Sequence, residues 1–160
     1  MNTKRLLCLH MVLDSVDRAI VEALCDDARL SQRQLAQRVG VAQGTITNRL
    51  RKLENDGVIQ GYAPILSAES VGWGMTVMAG LCIEKGKIMD VQKHISADHR
   101  VFSVYDVTGD WDSMVLARVK DRKDMDDLTK TVFTLDGISR SYTHVVLNTV
   151  KESGVRLPEE

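Results

Sequence analysis

The hydrophobic period of the chain changes partway along, and this switch limits the fold more than any other feature. Up to Gly57 the apolar residues recur at helical spacing; from Val77 they begin to alternate. Val16, Ala19, Ile20, Ala23 and Leu24 fall at i, i+3, i+4, i+7 and i+8, which predicts an amphipathic helix. Asp14 is placed to cap it, and Asp17 lies in the first turn, where the helix dipole favours negative charge. Ser31 and Gln34 have capping-box spacing ahead of Leu35, Ala36 and Val39, a short second helix that stops at Gly40. A third helix runs through Ile46, Leu50 and Leu53 and closes at Gly57 as a left-handed cap. Three helices with a tight glycine turn between the last two make a helix-turn-helix.

Beyond Gly57 the pattern becomes extended through Leu66, and Pro64 restricts this stretch to an edge or connecting strand. Residues 67–74, with Gly72 and Gly74, read as a hinge. Val77, Ala79, Leu81 and Ile83 alternate as a half-buried strand requires. Next come a helix carrying Ile88, Val91 and Ile95, a strand from Val101 to Val107, a Thr108–Asp112 loop, and a returning strand from Met114 to Val119. Asp124 is expected to cap a helix with Met125, Leu128, Val132 and Leu135 on one face, and Ile138–Val150 form the last strand. The order βαββαβ is the ferredoxin-like arrangement. About 85 residues leave one sheet face bare, and its expected cover is a second copy of the chain.

Charge sharpens this reading. The net charge of −1 hides an asymmetry: residues 29–52 hold six basic residues and no acidic one. A basic window in a mildly acidic chain marks a local surface for a polyanion. With Ile46, Leu50 and Leu53 inward, Thr47, Asn48 and Arg51 lie on the opposite face of the third helix, and Gln43, Gly44 and Thr45 sit at its start. Asn and Gln suit adenine, Arg suits guanine, and Thr meets an acceptor or a thymine methyl in the major groove. Arg33, Arg38 and Lys52 flank this face as phosphate contacts, and Arg49 is counted with the same surface. The partner implied is double-stranded DNA.

Other classes fare worse. Aromatics make up 4% of the chain, too few for a single-strand stacking platform. No apolar run reaches the roughly 18–20 residues of a membrane span. The stretch Leu6–Leu13 after Lys4-Arg5 is too short for a signal peptide and lacks a cleavage site, so residues 1–12 read as an N-terminal arm, with Met11 as an alternative start. Cys8, Cys25 and Cys82 form no CxxC pair, which fits a reducing cytoplasm. His10, His94, His99 and His144 have no metal-ligand spacing, and no catalytic motif is present. No metal, cofactor or catalytic residue is expected.

The stretches LDSVDRAIVEAL, ARLSQRQLAQRVGVAQGTITNRLRKLENDGVIQGY, VTGDWD and LDGISRSYTHVVLNTVK resemble the Lrp/AsnC (leucine-responsive/asparagine-responsive, or feast/famine) transcription regulators, over residues 13 to about 151. The resemblance implies an α+β chain: a winged helix-turn-helix with its connecting strand (13–66), a hinge (67–74), a ferredoxin-like effector and oligomerisation domain (75–151) and a tail (152–160). It also implies homodimers, with tetramers or octamers built from them. The Gly109-Asp110-Trp111-Asp112 loop matches the family segment where an amino-acid effector binds between subunits. Gly109 lets backbone approach a small ligand, free N–H groups can hold a carboxylate, and Asp112 can take the ammonium; turn chemistry alone would also produce such a loop. His144 matches a position that influences effector response. The third helix departs from the family in opening with Ala42 where Ser is common, so a cap worth about 1 kcal/mol is missing.

Two other readings share this architecture. Sirohaem decarboxylases are enzymes with an Arg-Arg-Ile-Gly run after the helix-turn-helix, where this chain has Gln60-Gly61-Tyr62, and with a His/Tyr-rich segment where it has Tyr105–Gly109. Both differences disfavour an enzyme. An architectural DNA-binding protein that needs no effector is compatible with the same residues.

Overall fold

The computed structural model describes residues 13–159, so the expected N-terminal arm and the choice between Met1 and Met11 lie outside the described residues. The described chain forms two compact units, residues 13–64 with 153–159, and Ile65–Glu152.

The first unit packs α1 (Ser15–Asp26), α2 (Gln32–Val39) and α3 (Gln43–Asn55) around one core. The caps are those the sequence predicts. Asp14 Oδ1 accepts from the Asp17 N–H at 2.8 Å. Ser31 and Gln34 form the complete capping box, and Gly40 ends α2 at φ +79°. Ala42 supplies no side-chain cap to α3. Gly57, at φ +74°, turns the chain so that the Val58 N–H donates to Leu53 O at 2.9 Å. Ile20, Leu35, Ile46 and Leu53 are essentially fully buried, each worth about 1.5–3 kcal/mol. The expected strand at 58–66 differs from the structure. Its residues make no strand pairing, and no backbone hydrogen bond starts from the N–H groups of 60–66 among the described residues. A strand needs a neighbour, and Pro64 has no donor to offer one.

The second unit has the expected order: β1 (Met75–Ile83), α4 (Ile88–Ser96), β2 (Val101–Asp106), β3 (Ser113–Val119), α5 (Arg122–Thr131) and β4 (Ile138–Val145). The antiparallel sheet runs β2-β3-β1-β4. Val77, Ala79, Leu81 and Ile83 of β1 join Val115, Ala117 and Val119 of β3 against Val91, Ile95, Leu128 and Phe133 from the helical layer. Residues 67–74 hold a short 3₁₀ turn at Glu69–Val71, and Gly74 donates to Val119 O at 3.0 Å, so this stretch belongs to the second unit.

The cap of α5 and the length of the last strand differ from expectation. Asp121, not Asp124, caps α5: its side chain accepts from the Asp124 N–H at 2.8 Å. Asp124 instead faces Arg100. The last strand ends at Val145, because after the Val146 N–H donates to Thr76 O the chain runs past the start of β1 at Met75 and has no partner left. Arg100, 7% exposed, is the buried cation of this unit and binds Asp98, Asp124 and Asp127 at 2.8–3.0 Å. Among the described residues, no helix is long and apolar enough to cross a membrane.

Candidate DNA interface and effector loop

The two candidate sites lie in different units and rest on different chemistry. On α3 the inward residues Ile46, Leu50 and Leu53 set the roll of the helix and leave Gln43, Gly44, Asn48, Arg51 and Lys52 exposed. Among the described residues, the side chains of Gln43, Asn48, Arg51, Lys52 and Arg33 have no hydrogen bond or ion pair. They are therefore available to a ligand without breaking anything. Thr45 is half-buried at the helix start. The helix presents uncapped N–H groups there, which suit a phosphate.

Three expected contacts sit differently from that exposed group. Thr47 is half-buried, and its hydroxyl donates to Gln32 Oε1 at 2.7 Å, bracing α3 against α2. Arg38, in the last turn of α2, is paired with Asp26 at 2.6 Å. That pair, with Arg156 also on Asp26 at 3.2 Å, holds the Asp26 carboxyl below the usual carboxylate range. Arg49 turns to α1, where it meets Asp14 at 2.6 Å and the buried Asp17 at 3.3 Å. The hydrogen bond that Arg49 donates to Asp14 raises the Arg49 pKa above its ordinary value. At about 100° per residue Arg49 falls about 160° from Arg51 and beside Leu53, so the helical period itself separates it from the reading face.

The loop between β2 and β3 is stitched to the end of β1. The Asp112 N–H donates to Leu81 O at 2.9 Å, and Asp112 Oδ2 accepts from the Ile83 N–H at 2.7 Å. The carboxylate expected to receive an ammonium thus has one oxygen already engaged by backbone. Gly109 has φ +113°, which favours glycine. Among the described residues, the N–H groups of residues 108–111 have no acceptor.

Trp111 lies flat enough on β1 that a Cβ at Gly80 would stand 2.6 Å from its indole. The Arg140 guanidinium sits 4.8 Å from the Trp111 ring centre, Tyr142 is 6.2 Å from Trp111, and His144 is 5.3 Å from Tyr142. The structure therefore brings Trp111 and His144 together through Tyr142. Sequence reasoning missed Gly80, Arg140 and Tyr142 as members of this cluster. Residues 140, 142 and 144 alternate along β4 and share one sheet face, a signal that was available.

Comparison with known proteins agrees with both halves. Residues 13–60 match a winged helix-turn-helix DNA-binding family, and residues 76–156 match the Lrp/AsnC ligand-binding domain. The chain is 43% identical over 141 residues to an uncharacterised helix-turn-helix-type transcriptional regulator of Pyrococcus abyssi, covering 88% of this chain and 96% of the relative. A Neisseria meningitidis transcriptional regulator solved as its L-methionine complex superimposes with TM-score 0.83 at 27% identity, covering 92% of this chain and 97% of that one. A feast or famine regulatory protein from M. tuberculosis, also complexed with L-methionine, gives TM-score 0.85 at 28% identity, over 92% and 100%. With a family match at each end of the chain, in order, and a relative above 40% identity along most of it, this protein belongs to the Lrp/AsnC family of DNA-binding transcription regulators.

Proposed function

We propose that this regulator reads its DNA with the exposed face of α3, and that an amino acid bound beside the 109–112 loop changes its DNA binding or assembly. The observation that carries the first part is the set of unengaged side chains Gln43, Asn48, Arg51, Lys52 and Arg33 in a window without acids. Asn48, Arg51 and Gln43 take base edges; Lys52 and Arg33 take phosphates. Gly44 places a free backbone N–H at the backbone of the duplex, and Thr45, whose own N–H donates to Ala42 O at 3.0 Å, offers its side chain beside it. Thr47 acts through its brace to Gln32, and Arg38 adds charge from within its pair with Asp26. Arg49 holds α3 to α1 and is left out of the reading set.

For the effector, support comes from the loop and from the relatives crystallised with L-methionine. The free N–H groups of residues 108–111 suit a carboxylate, and Asp110 with the second oxygen of Asp112 suits an ammonium. Trp111, Tyr142 and His144 offer the surface for an amino-acid side chain. The opposite sheet face to the helices exposes Met78, Phe102, Tyr105 and Tyr142, and a second copy of the chain is the cover we assign to it. The protein acts as a regulator and not as an enzyme, in the cytoplasm where its DNA is. Calorimetric titration of the amino acids onto the purified protein, with particle size followed in parallel, tests the effector. One or more should bind and shift size or DNA affinity; no binding by any of them would overturn that part.

A further inference from the structure

The C-terminal segment is folded onto the DNA-binding unit, and neither the reading face nor the effector loop makes use of it. Residues 155–158 line one side of an open cavity of about 460 Å³ against α1 and the 58–63 stretch, with Val21, Leu24 and Tyr62 among its walls. Leu157 is half-buried in this lining, whereas Val155 is 97% exposed. Polar contacts fasten the segment: Arg18 Nη2 donates to Pro158 O at 2.8 Å, and Arg156 pairs with Asp26 at 3.2 Å. Asp26 is also the partner of Arg38, at 2.6 Å, so one carboxylate serves two guanidiniums. Upstream, Glu152 is tied to Arg118 at 2.7 Å inside the ligand-binding unit. The chain passes between the two units at residues 64–65 and again at 152–153.

We propose that residues 155–158 are a docking strap that sets the DNA affinity of the helix-turn-helix unit by sharing Asp26 between Arg156 and Arg38. With the strap docked, Asp26, Arg38 and Arg156 carry a net charge of +1, and Arg38 keeps attraction to spare for a phosphate. With the strap released, Asp26 neutralises Arg38 alone. Docking therefore strengthens DNA binding, and by reciprocity bound DNA strengthens docking. The effect is that of an exposed ion pair, about two- to fivefold in affinity at low salt, and it shrinks as salt rises. The inference rests on the reading that places Arg38 near the DNA backbone.

Two measurements on the full chain test it. The first uses no DNA, and so stands apart from that reading: the rate of tryptic cleavage after Arg156. Leu157→Ala removes the apolar anchor and should speed cleavage about threefold or more, since a released terminus is cut more readily; an unchanged rate overturns the docking. The second is a cycle of DNA affinities. Arg156→Gln should weaken binding about two- to fivefold in the natural chain and have no effect in an Asp26→Asn background. A loss of the same size in both backgrounds would mean that Arg156 meets the phosphates itself, and no loss in either would mean no coupling. Either result overturns the proposal.

Discussion

Trp111 occupies the space above Gly80 that a Cβ would need, at 2.6 Å from the indole. Glycine at position 80 is therefore set by packing: it lets the 109–112 loop lie on the sheet, where Asp112 secures it to β1. Gly80→Ala should cost about 1–3 kcal/mol through overpacking. In a Trp111→Ala background the same change should cost much less, because the clash is gone. Denaturant unfolding of the four chains gives the comparison; equal costs in both backgrounds would contradict the contact.

Asp112 and Asp110 should separate stability from ligand binding. Asp112→Ala leaves the Ile83 N–H without its acceptor, at a cost of about 1–2 kcal/mol. Asp110 is exposed and its backbone carbonyl, not its side chain, accepts from Cys82 Sγ, so Asp110→Ala should leave the unfolding midpoint almost unchanged and weaken amino-acid binding. Thermal unfolding and calorimetry on both variants check this. An Asp112→Ala protein as stable as the parent would contradict the structural role.

Arg100 predicts the acid side of the stability curve. Its hydrogen bond holds the Asp98 carboxyl below the usual carboxylate range. Asp124 is lowered chiefly by the Lys120 N–H and also by Arg100. A carboxylate depressed in the folded state contributes stability that is present above about pH 4 and lost as pH falls through the lower folded value. Arg100→Ala should cost about 1.5–3 kcal/mol near neutrality, short of a fully buried pair because Asp127 is well exposed. It should also flatten the decline below pH 4. Urea unfolding between pH 2.5 and 7 measures both; an unchanged acid slope would contradict the linkage.

The bare sheet face predicts assembly. Met78 and Leu116 are register partners on that face, so Met78→Asp or Leu116→Lys should turn a dimer into a monomer at micromolar concentration. Light scattering reports the mass, and a natural chain that is already monomeric would contradict the expected homodimer.

Most of the fold is legible in the sequence because local signals agree with the packing. Asp14, Ser31 with Gln34, and Gly40 mark helix ends by chemistry that acts within three or four residues. What escaped depends on distant partners. Asp124 looked like a cap because an aspartate before an apolar run usually is one; Arg100, 24 residues away, claims it instead. Ile138–Val150 read as one strand since β-branched residues continue to Val150, but strand length is decided by where β1 begins. Arg49 shares its charge with its neighbours on α3, yet Asp14 and Asp17 draw it to α1. The cluster of Trp111, Arg140 and Tyr142 over Gly80 is assembled by the register of β1 with β4, which no single stretch records.

The most direct measurement of the central claim is the ratio of affinities for a duplex selected from a random pool and for unselected duplex, as a function of salt, for three variants of α3. Asn48→Ala and Arg51→Ala should each lower that ratio by about 1–3 kcal/mol. Lys52→Ala should weaken both duplexes alike and reduce the salt slope by about one. Equal, sequence-independent losses in all three variants would contradict α3 as the element that reads the DNA.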